Sequence, residues 1–380
     1  MAWNKKHLAV YGLSAEGYQT AMRFSEKGYE TIIVDERLNS PIKLEKKNFS
    51  RSKTIDEFFE EDNLAEIASL QDSISRSNFL FYCPKIRCDV SEIYYQYDRS
   101  LKEIVPFLSK NAILVFWIPL GLDGQKEIIN MVQKYTNLKD NEYGLIFLPP
   151  FFNEKLNIVG AFGNAGSGLE ILEEIIGRKT VLSTIEEAER AFCNKILDRF
   201  STFTSKFITL SGLNDASEEL FYYNDLFSYY TDLKMIYNTS KRSSQLRSFS
   251  SSLIRIVESY PKNLLNYIKE TTKKANAKPS RAKITVLWSK SNYHIRPDLE
   301  KAASDFMSLI QDIFVDVKIL SFKELVEQKA LSTTLSRDPN FLVVCSESDF
   351  NNVKDKVKER GQTIIVIKAT LPPSRMIQNG

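Results

Sequence analysis

Cysteine, histidine, long apolar runs and an excess of either charge are all scarce in this chain. Four cysteines, Cys83, Cys88, Cys193 and Cys345, are scattered along 380 residues, which fits reduced thiols rather than a disulfide framework. Cys83 and Cys88 could supply half of a metal site. With His7 and His294 the only histidines and no second cysteine pair, they read instead as two thiols at the end of a buried strand, and no metal is expected. The longest apolar runs fall far short of the roughly 20 residues a spanning helix needs. The opening MAWNKKHLAVYG lacks the apolar core and cleavage site of a signal peptide, so a cytoplasmic protein with no membrane association is expected. Fifty-one basic against 48 acidic side chains leave a net charge of +3, too little for a nucleic-acid field over the whole surface. The local basic runs Lys241–Arg247 and Lys273–Lys283 read as solvated surface, and nucleic acid is not the expected partner. Glycine is absent between Gly212 and Gly361, so the C-terminal part has no glycine-rich turn to cradle a phosphate.

What is present organises around His7 to Glu36, HLAVYGLSAEGYQTAMRFSEKGYETIIVDE. Apolar His7 to Tyr11 predicts a buried strand, and the Gly12 to Gly17 turn opens a helix with Tyr18, Ala21 and Met22 on one face. Gly28 ends that helix, and Thr31 to Val34 predicts a second strand. The turn resembles the dinucleotide fingerprint G-x-G-x-x-G, with Gly12, Ser14 and Gly17 in the three glycine places. Ser14 stands where the middle glycine would let backbone approach a pyrophosphate, which damages the phosphate site without necessarily closing it. Asp35 follows the second strand where an acid takes the ribose hydroxyls of NAD, while Arg37 pulls toward a 2′-phosphate. Many α/β domains begin this way without holding a dinucleotide, so NAD is a possible cofactor at a weakened site.

Strand and helix signals then alternate. A helix is expected over Thr54–Leu70, a strand over Phe79–Cys83, a helix over Val90–Leu108 and a strand over Ala112–Trp117. Next come a helix over Gly124–Tyr135, strands over Gly144–Leu148 and Asn157–Val159, and a helix over Leu169–Ile176 behind a capping box of Ser167 and Glu170. From Thr184 the spacing of Ala188, Phe192, Ile196, Phe200, Phe203 and Phe207 predicts a long helix. The mainly helical stretch to Ala275 carries an aromatic stripe, Phe221 to Tyr230, that reads as core or subunit interface. After a linker around Pro279, strands and helices alternate again from Lys283 to Ile367. The fold class expected is α/β, with two Rossmann-like doubly wound domains joined by a long helix and a helical middle layer. The boundaries are 1–182, 183–278 and 279–380.

This order of parts resembles the UDP-glucose/GDP-mannose dehydrogenase family, and several motifs carry the likeness. The opening LAVYGLSAEGYQTAMRFSEKGYETIIVDE resembles the family's own. Ile146 to Glu154 (IFLPPFFNE) looks like its segment reading roughly NPEFLREG, and Asn157 to Gly160 looks like its RIVIG strand. Ser183 to Glu189 (STIEEAE) sits where the family has the lead-in to its long helix. Lys283 to Arg296 (KITVLWSKSNYHIR) resembles, with a gap, the start of its nucleotide-binding C-terminal domain. The resemblance implies two-step oxidation of a nucleotide sugar by NAD, a catalytic role for Glu154, substrate contacts by Arg296 and Lys290, and a homodimer through the helical middle region.

The departures concern the chemistry. The family's nucleophilic cysteine, in a loop of the form GFGGSCFPKD, has no counterpart, because no cysteine lies between Cys193 and Cys345. The serine-rich run Ser240 to Ser252 takes its place. The family's catalytic lysine falls on Phe192, and Lys195 one turn along is the substitute candidate. The hydroxyl-bearing STVPPGT segment corresponds to Phe116–Leu122 (FWIPLGL). Three readings follow: a catalytically silent relative that keeps a nucleotide or nucleotide-sugar site and an assembly role; an active NAD-dependent nucleotide-sugar 6-dehydrogenase with relocated groups; and a nucleic-acid-associated scaffold.

Overall fold

The computed structural model describes residues 7–12, 15–35, 40–44, 69–84, 90–148, 158–176, 181–208, 221–288, 297–327, 340–358, 364–370 and 373–377. The chain divides into two compact units. One comprises Met1–Ile196, Asp232–Arg247 and Asn292–Pro297, the other Leu197–Thr231, Ser248–Ser291 and Asp298–Gly380.

In the first unit, eight strands form one sheet. They are β1 (His7–Tyr11), β2 (Glu30–Asp35), β3 (Ser40–Leu44), β4 (Phe79–Tyr82), β5 (Ile113–Phe116), β6 (Gly144–Phe147), β7 (Ile158–Gly163) and β8 (Val181–Thr184), in the order β3-β2-β1-β4-β5-β6-β7-β8. The central strands are parallel, as their continuous apolar sequences require of a sheet covered on both faces. Helices α1 (Ala15–Glu26), α2 (Leu70–Ser75), α3 (Ile93–Ile104), α4 (Gly124–Tyr135) and α5 (Gly166–Ile176) connect them, and α6 (Ile185–Ile208) is the long helix expected from the phenylalanine spacing.

The helix expected over Thr54–Leu70 lies outside the described residues except for its last two positions. Two pairings depart from an all-parallel sheet. The stretch after Asp35, which reads as a polar connection, folds back as β3, and β7 returns antiparallel to β6. Helix α5 starts at Gly166, so the backbone of Ser167 lies inside its first turn and not at the N-cap place expected of it. The helix packs closely on the sheet: a Cβ on Gly168 would come within 2.5 Å of the Ile113 side chain. The capping box in this region is instead Thr184 with Glu187. The Thr184 hydroxyl accepts from Glu187 N at 3.1 Å and Thr184 N donates to the Glu187 carboxylate at 3.3 Å, which opens α6.

Helices α7 (Tyr223–Phe227), α8 (Tyr230–Thr239) and the 30-residue α9 (Gln245–Lys274) make up the helical stretch. The second sheet contains β9 (Lys283–Leu287), β10 (Asp316–Leu320), β11 (Asn340–Val344), β12 (Ile364–Lys368) and β13 (Ser374–Ile377), ordered β10-β9-β11-β12-β13. Its first four strands are parallel and β13 is antiparallel. Helices α10 (Pro297–Gln311), α11 (Phe322–Glu327) and α12 (Glu347–Lys358) alternate with these strands. Among the described residues, no helix is long and apolar enough to cross a membrane.

Candidate functional site

Between β1 and β4 the first sheet reverses its direction of winding. In open α/β sheets the crevice at such a point, beyond the carboxyl ends of the strands, is where ligands bind. Gly12 sits there, immediately after β1. Its N–H donates to Val34 O at 3.0 Å, its φ is +112°, and a Cβ would lie 2.1 Å from the Cys83 carbonyl oxygen. Only glycine satisfies both the dihedral and the space. Gly17 is buried in α1, and Asp35 closes β2 opposite Ser40. Ser14, Arg37, Glu154, Lys290 and Arg296 lie outside the described residues.

The last residues of four adjacent parallel strands form one register row: Tyr11 opposite Tyr82, Tyr82 opposite Phe116, Phe116 opposite Phe147. All four rings are buried on the same face, since equivalent positions of paired parallel strands share a side. Tyr11 and Tyr82 stack at 5.7 Å, and Phe116 meets Tyr82 edge-on at the same distance. Phe192 of α6 extends the row, edge-on to Phe147 at 6.4 Å. The place the resemblance gives to a lysine is therefore hydrophobic core, 1% exposed. Lys195 is half-buried further along α6.

Trp117, the next residue of β5's segment, donates its backbone N–H to Tyr82 O at 3.1 Å, but its buried indole N–H has no acceptor. An unmet buried donor costs about 1–3 kcal/mol. The missing Cβ of Gly12 makes room for the Cys83 carbonyl, so the glycine serves the packing of the turn. The described thiols, Cys83, Cys193 and Cys345, are in no disulfide and are buried. Burial, reinforced by the neighbouring Glu189 charge, pushes the Cys193 thiol far above its usual range, and burial does the same to Cys345.

The loop after β5, residues 119–123, is held by side chains from three helices. From α3, the Tyr97 hydroxyl donates to Pro119 O at 3.0 Å and the Tyr94 hydroxyl donates to Leu120 O. From α6, the Cys193 thiol donates to Gly121 O at 3.5 Å, and Glu189 accepts from Asp123 N and, at 2.8 Å, from Gln125 N. From α8, Thr239 accepts from Leu122 N at 2.8 Å. Asp123, at φ +59°, makes no side-chain cap of its own, so Glu189, 64 residues beyond Gln125, caps α4. The Glu189 acid is pushed up to about 7, chiefly by burial, against the two backbone N–H groups that favour its charge. Sequence reasoning places Glu189 in the lead-in to the long helix and misses this role.

In the second sheet the switch point lies between β9 and β11. The chain's own α7 covers the carboxyl ends of β11 and β12. Asn224 N donates to Cys345 O at 3.1 Å and Tyr223 N to Ala369 O at 2.9 Å, while Tyr222 bridges to Thr370. Tyr223 stacks on Phe306 at 4.9 Å and meets Trp288 at 5.5 Å. Tyr222, Tyr223 and Phe227 of the aromatic stripe are therefore core of their own unit.

Two parallel-centred sheets, each wound on both sides with helices, define a protein of two Rossmann-like domains with additional helices. Its fold is that of the UDP-sugar dehydrogenases. It superposes on a UDP-D-ManNAc dehydrogenase from Pyrococcus horikoshii with a TM-score of 0.56 at 15% identity, covering 93% of either chain. A UDP-glucose dehydrogenase from the hyperthermophilic archaeon Pyrobaculum islandicum gives 0.57 at 11% identity, over 96% of this chain and 95% of that one. The UDP-N-acetyl-mannosamine dehydrogenase of Staphylococcus aureus gives 0.52 at 14%, over 89% and 88%. No protein-family model and no curated protein matches the sequence.

Proposed function

We propose that this chain is a degenerate relative of the nucleotide-sugar dehydrogenases that retains a nucleotide site in its first domain and no longer carries out the oxidation. The full-length likeness of fold to UDP-sugar dehydrogenases supports the ancestry. The observation that carries the loss of chemistry is Phe192: where the resemblance requires a cation to stabilise a developing alkoxide, a phenyl ring is buried against Phe147. The thiol step is unsupported as well, since Cys193 and Cys345 are buried and held protonated. Removing single members of a catalytic unit already lowers rates by orders of magnitude.

The Gly12 turn and Asp35 supply the adenosine half of an NAD site, with Ser14 weakening its phosphate contacts. When bound, NAD would supply hydride acceptance. This chain's residues would hold and orient it. Thermal-shift titration tests retention of the site: NAD or UDP at a hundred times its dissociation constant adds about 2.7 kcal/mol. Incubation with NAD and a panel of UDP-sugars should produce no NADH, and sustained NADH formation lost in both Lys195→Ala and Glu154→Ala would replace this reading with relocated catalysis. Assembly as a homodimer through the helical middle region completes the proposal, and a clean monomer by light scattering at micromolar concentration contradicts it.

A further inference from the structure

The second sheet ends at β10, which pairs with β9 on one side and has an open edge on the other. Leu320 O accepts from Trp288 N at 2.9 Å, so Leu320 turns its backbone groups toward β9. Alternation along the strand turns those of Asp316 and Lys318 the same way, and those of Val317 and Ile319 to the open edge. The side chains alternate as well. Val317 and Ile319 share a face with Ile284 and Val286, their register neighbours on β9. Ile284 and Val286 are buried, whereas Ile319 is 42% exposed and Val315, immediately before the strand, 81%. The apolar face therefore runs out to the edge uncovered. Asp316 and Lys318 stand on the opposite face, with Lys318 exposed. An open edge is commonly kept apart from other chains by unbalanced charge, a proline or a bulge. In DVKIL the two charges cancel, no proline occurs, and the register with β9 is unbroken.

We propose that β10 is a homotypic interface, pairing antiparallel with β10 of a second copy of this chain across a two-fold axis at Val317. The strand is self-complementary in that register. Each Val317 N–H donates to the other Val317 O, the closely spaced pair that the outward turn of Val317 allows. Asp316 then stands opposite Lys318 of the second copy, twice by symmetry, and Ile319 lies beside Val315 of the second copy on the apolar face. An axis at Asp316 or at Lys318 would instead set like charges opposite each other, so the charges fix the register. A strand of five residues buries far less than a standard interface, which makes the association weak and concentration-dependent. It uses no residue of the helical middle region and needs no bound nucleotide.

Sedimentation velocity of the full-length protein over a concentration series tests the pairing. Wild type should show an association step. Asp316→Lys and Lys318→Asp each set like charges opposite one another at both symmetry-related pairs, and each should weaken that step roughly tenfold. Asp316→Lys together with Lys318→Asp restores opposite charges and should recover it, which loss of folding could not produce. Val317→Pro removes the N–H at the open edge, leaves the bonds to β9 in place and should abolish the step. Wild type without such a step overturns the proposal, and so does a double variant that associates no better than the single ones. A step that both single reversals and Val317→Pro leave unchanged also overturns it, and would assign the association to the helical middle region.

Discussion

Replacing Phe192 separates a packing position from a vacated catalytic one. Truncation to alanine removes a side chain that is 1% exposed and leaves Phe147 without its edge-on partner. Buried Phe→Ala changes cost about 3–5 kcal/mol, and an aromatic pair contributes about 0.5–1.5 kcal/mol of such a loss. For a cooperative unit of this size that corresponds to a fall of roughly 6–20 °C in melting temperature. Phe192→Lys is the more telling change. An ammonium at the end of the aromatic row must be dehydrated, at an effective cost of several kcal/mol, so it should destabilise at least as much as alanine. Phe192→Leu, which keeps apolar volume, should cost least. The assay is thermal unfolding of the three variants, with hydrogen exchange of the β6 peptide showing that the loss falls on the first sheet. A Phe192→Lys protein within about 1 kcal/mol of wild type would mean that the position opens onto water. NADH formation by that variant would mean that the rest of the catalytic apparatus has survived, and both results refute the reasoning.

Gly12→Ala should destabilise the first unit by at least about 2 kcal/mol through its left-handed φ and the overlap with Cys83 O; a loss of less than about 0.5 kcal/mol in the unfolding free energy from urea titration would show the turn to be adjustable. Ser14→Gly should raise NAD affinity in a calorimetric titration, since it restores the glycine at the phosphate approach, and unchanged affinity would place the obstruction elsewhere. Tyr260→Phe, which removes the hydroxyl donating to Thr370 O at 2.8 Å in a fully buried setting, should cost about 1–2 kcal/mol in the second unit and leave nucleotide binding unchanged.

Much of the architecture is legible in the amino-acid order because it depends on local pattern. Short apolar runs such as ILVF and FLFY, too brief for a helix, fit buried strands of a covered sheet, and the phenylalanines of α6 recur at helical spacing, so strand and helix alternation follows. Gly12 is legible for the same reason: a glycine between a buried strand and a helix marks a turn that needs φ above zero. The edge strands β3 and β13 are not legible, because their sequences, SPIKL and SRMI, are short and acquire strand geometry only from the neighbour they pair with.

The candidate site divides in the same way. The absence of a cysteine between Cys193 and Cys345 and the phenylalanine at position 192 are facts of the sequence, and the proposed loss of oxidation is read from them. Only the tertiary structure decided that Tyr11, Tyr82, Phe116 and Phe147 fall in one register row, and that Glu189 caps a helix through Gln125, 64 residues away. Strand register and the meeting of distant helices are set by packing across the whole sheet. Spacing along the chain carries no record of which side chain will stand beside which.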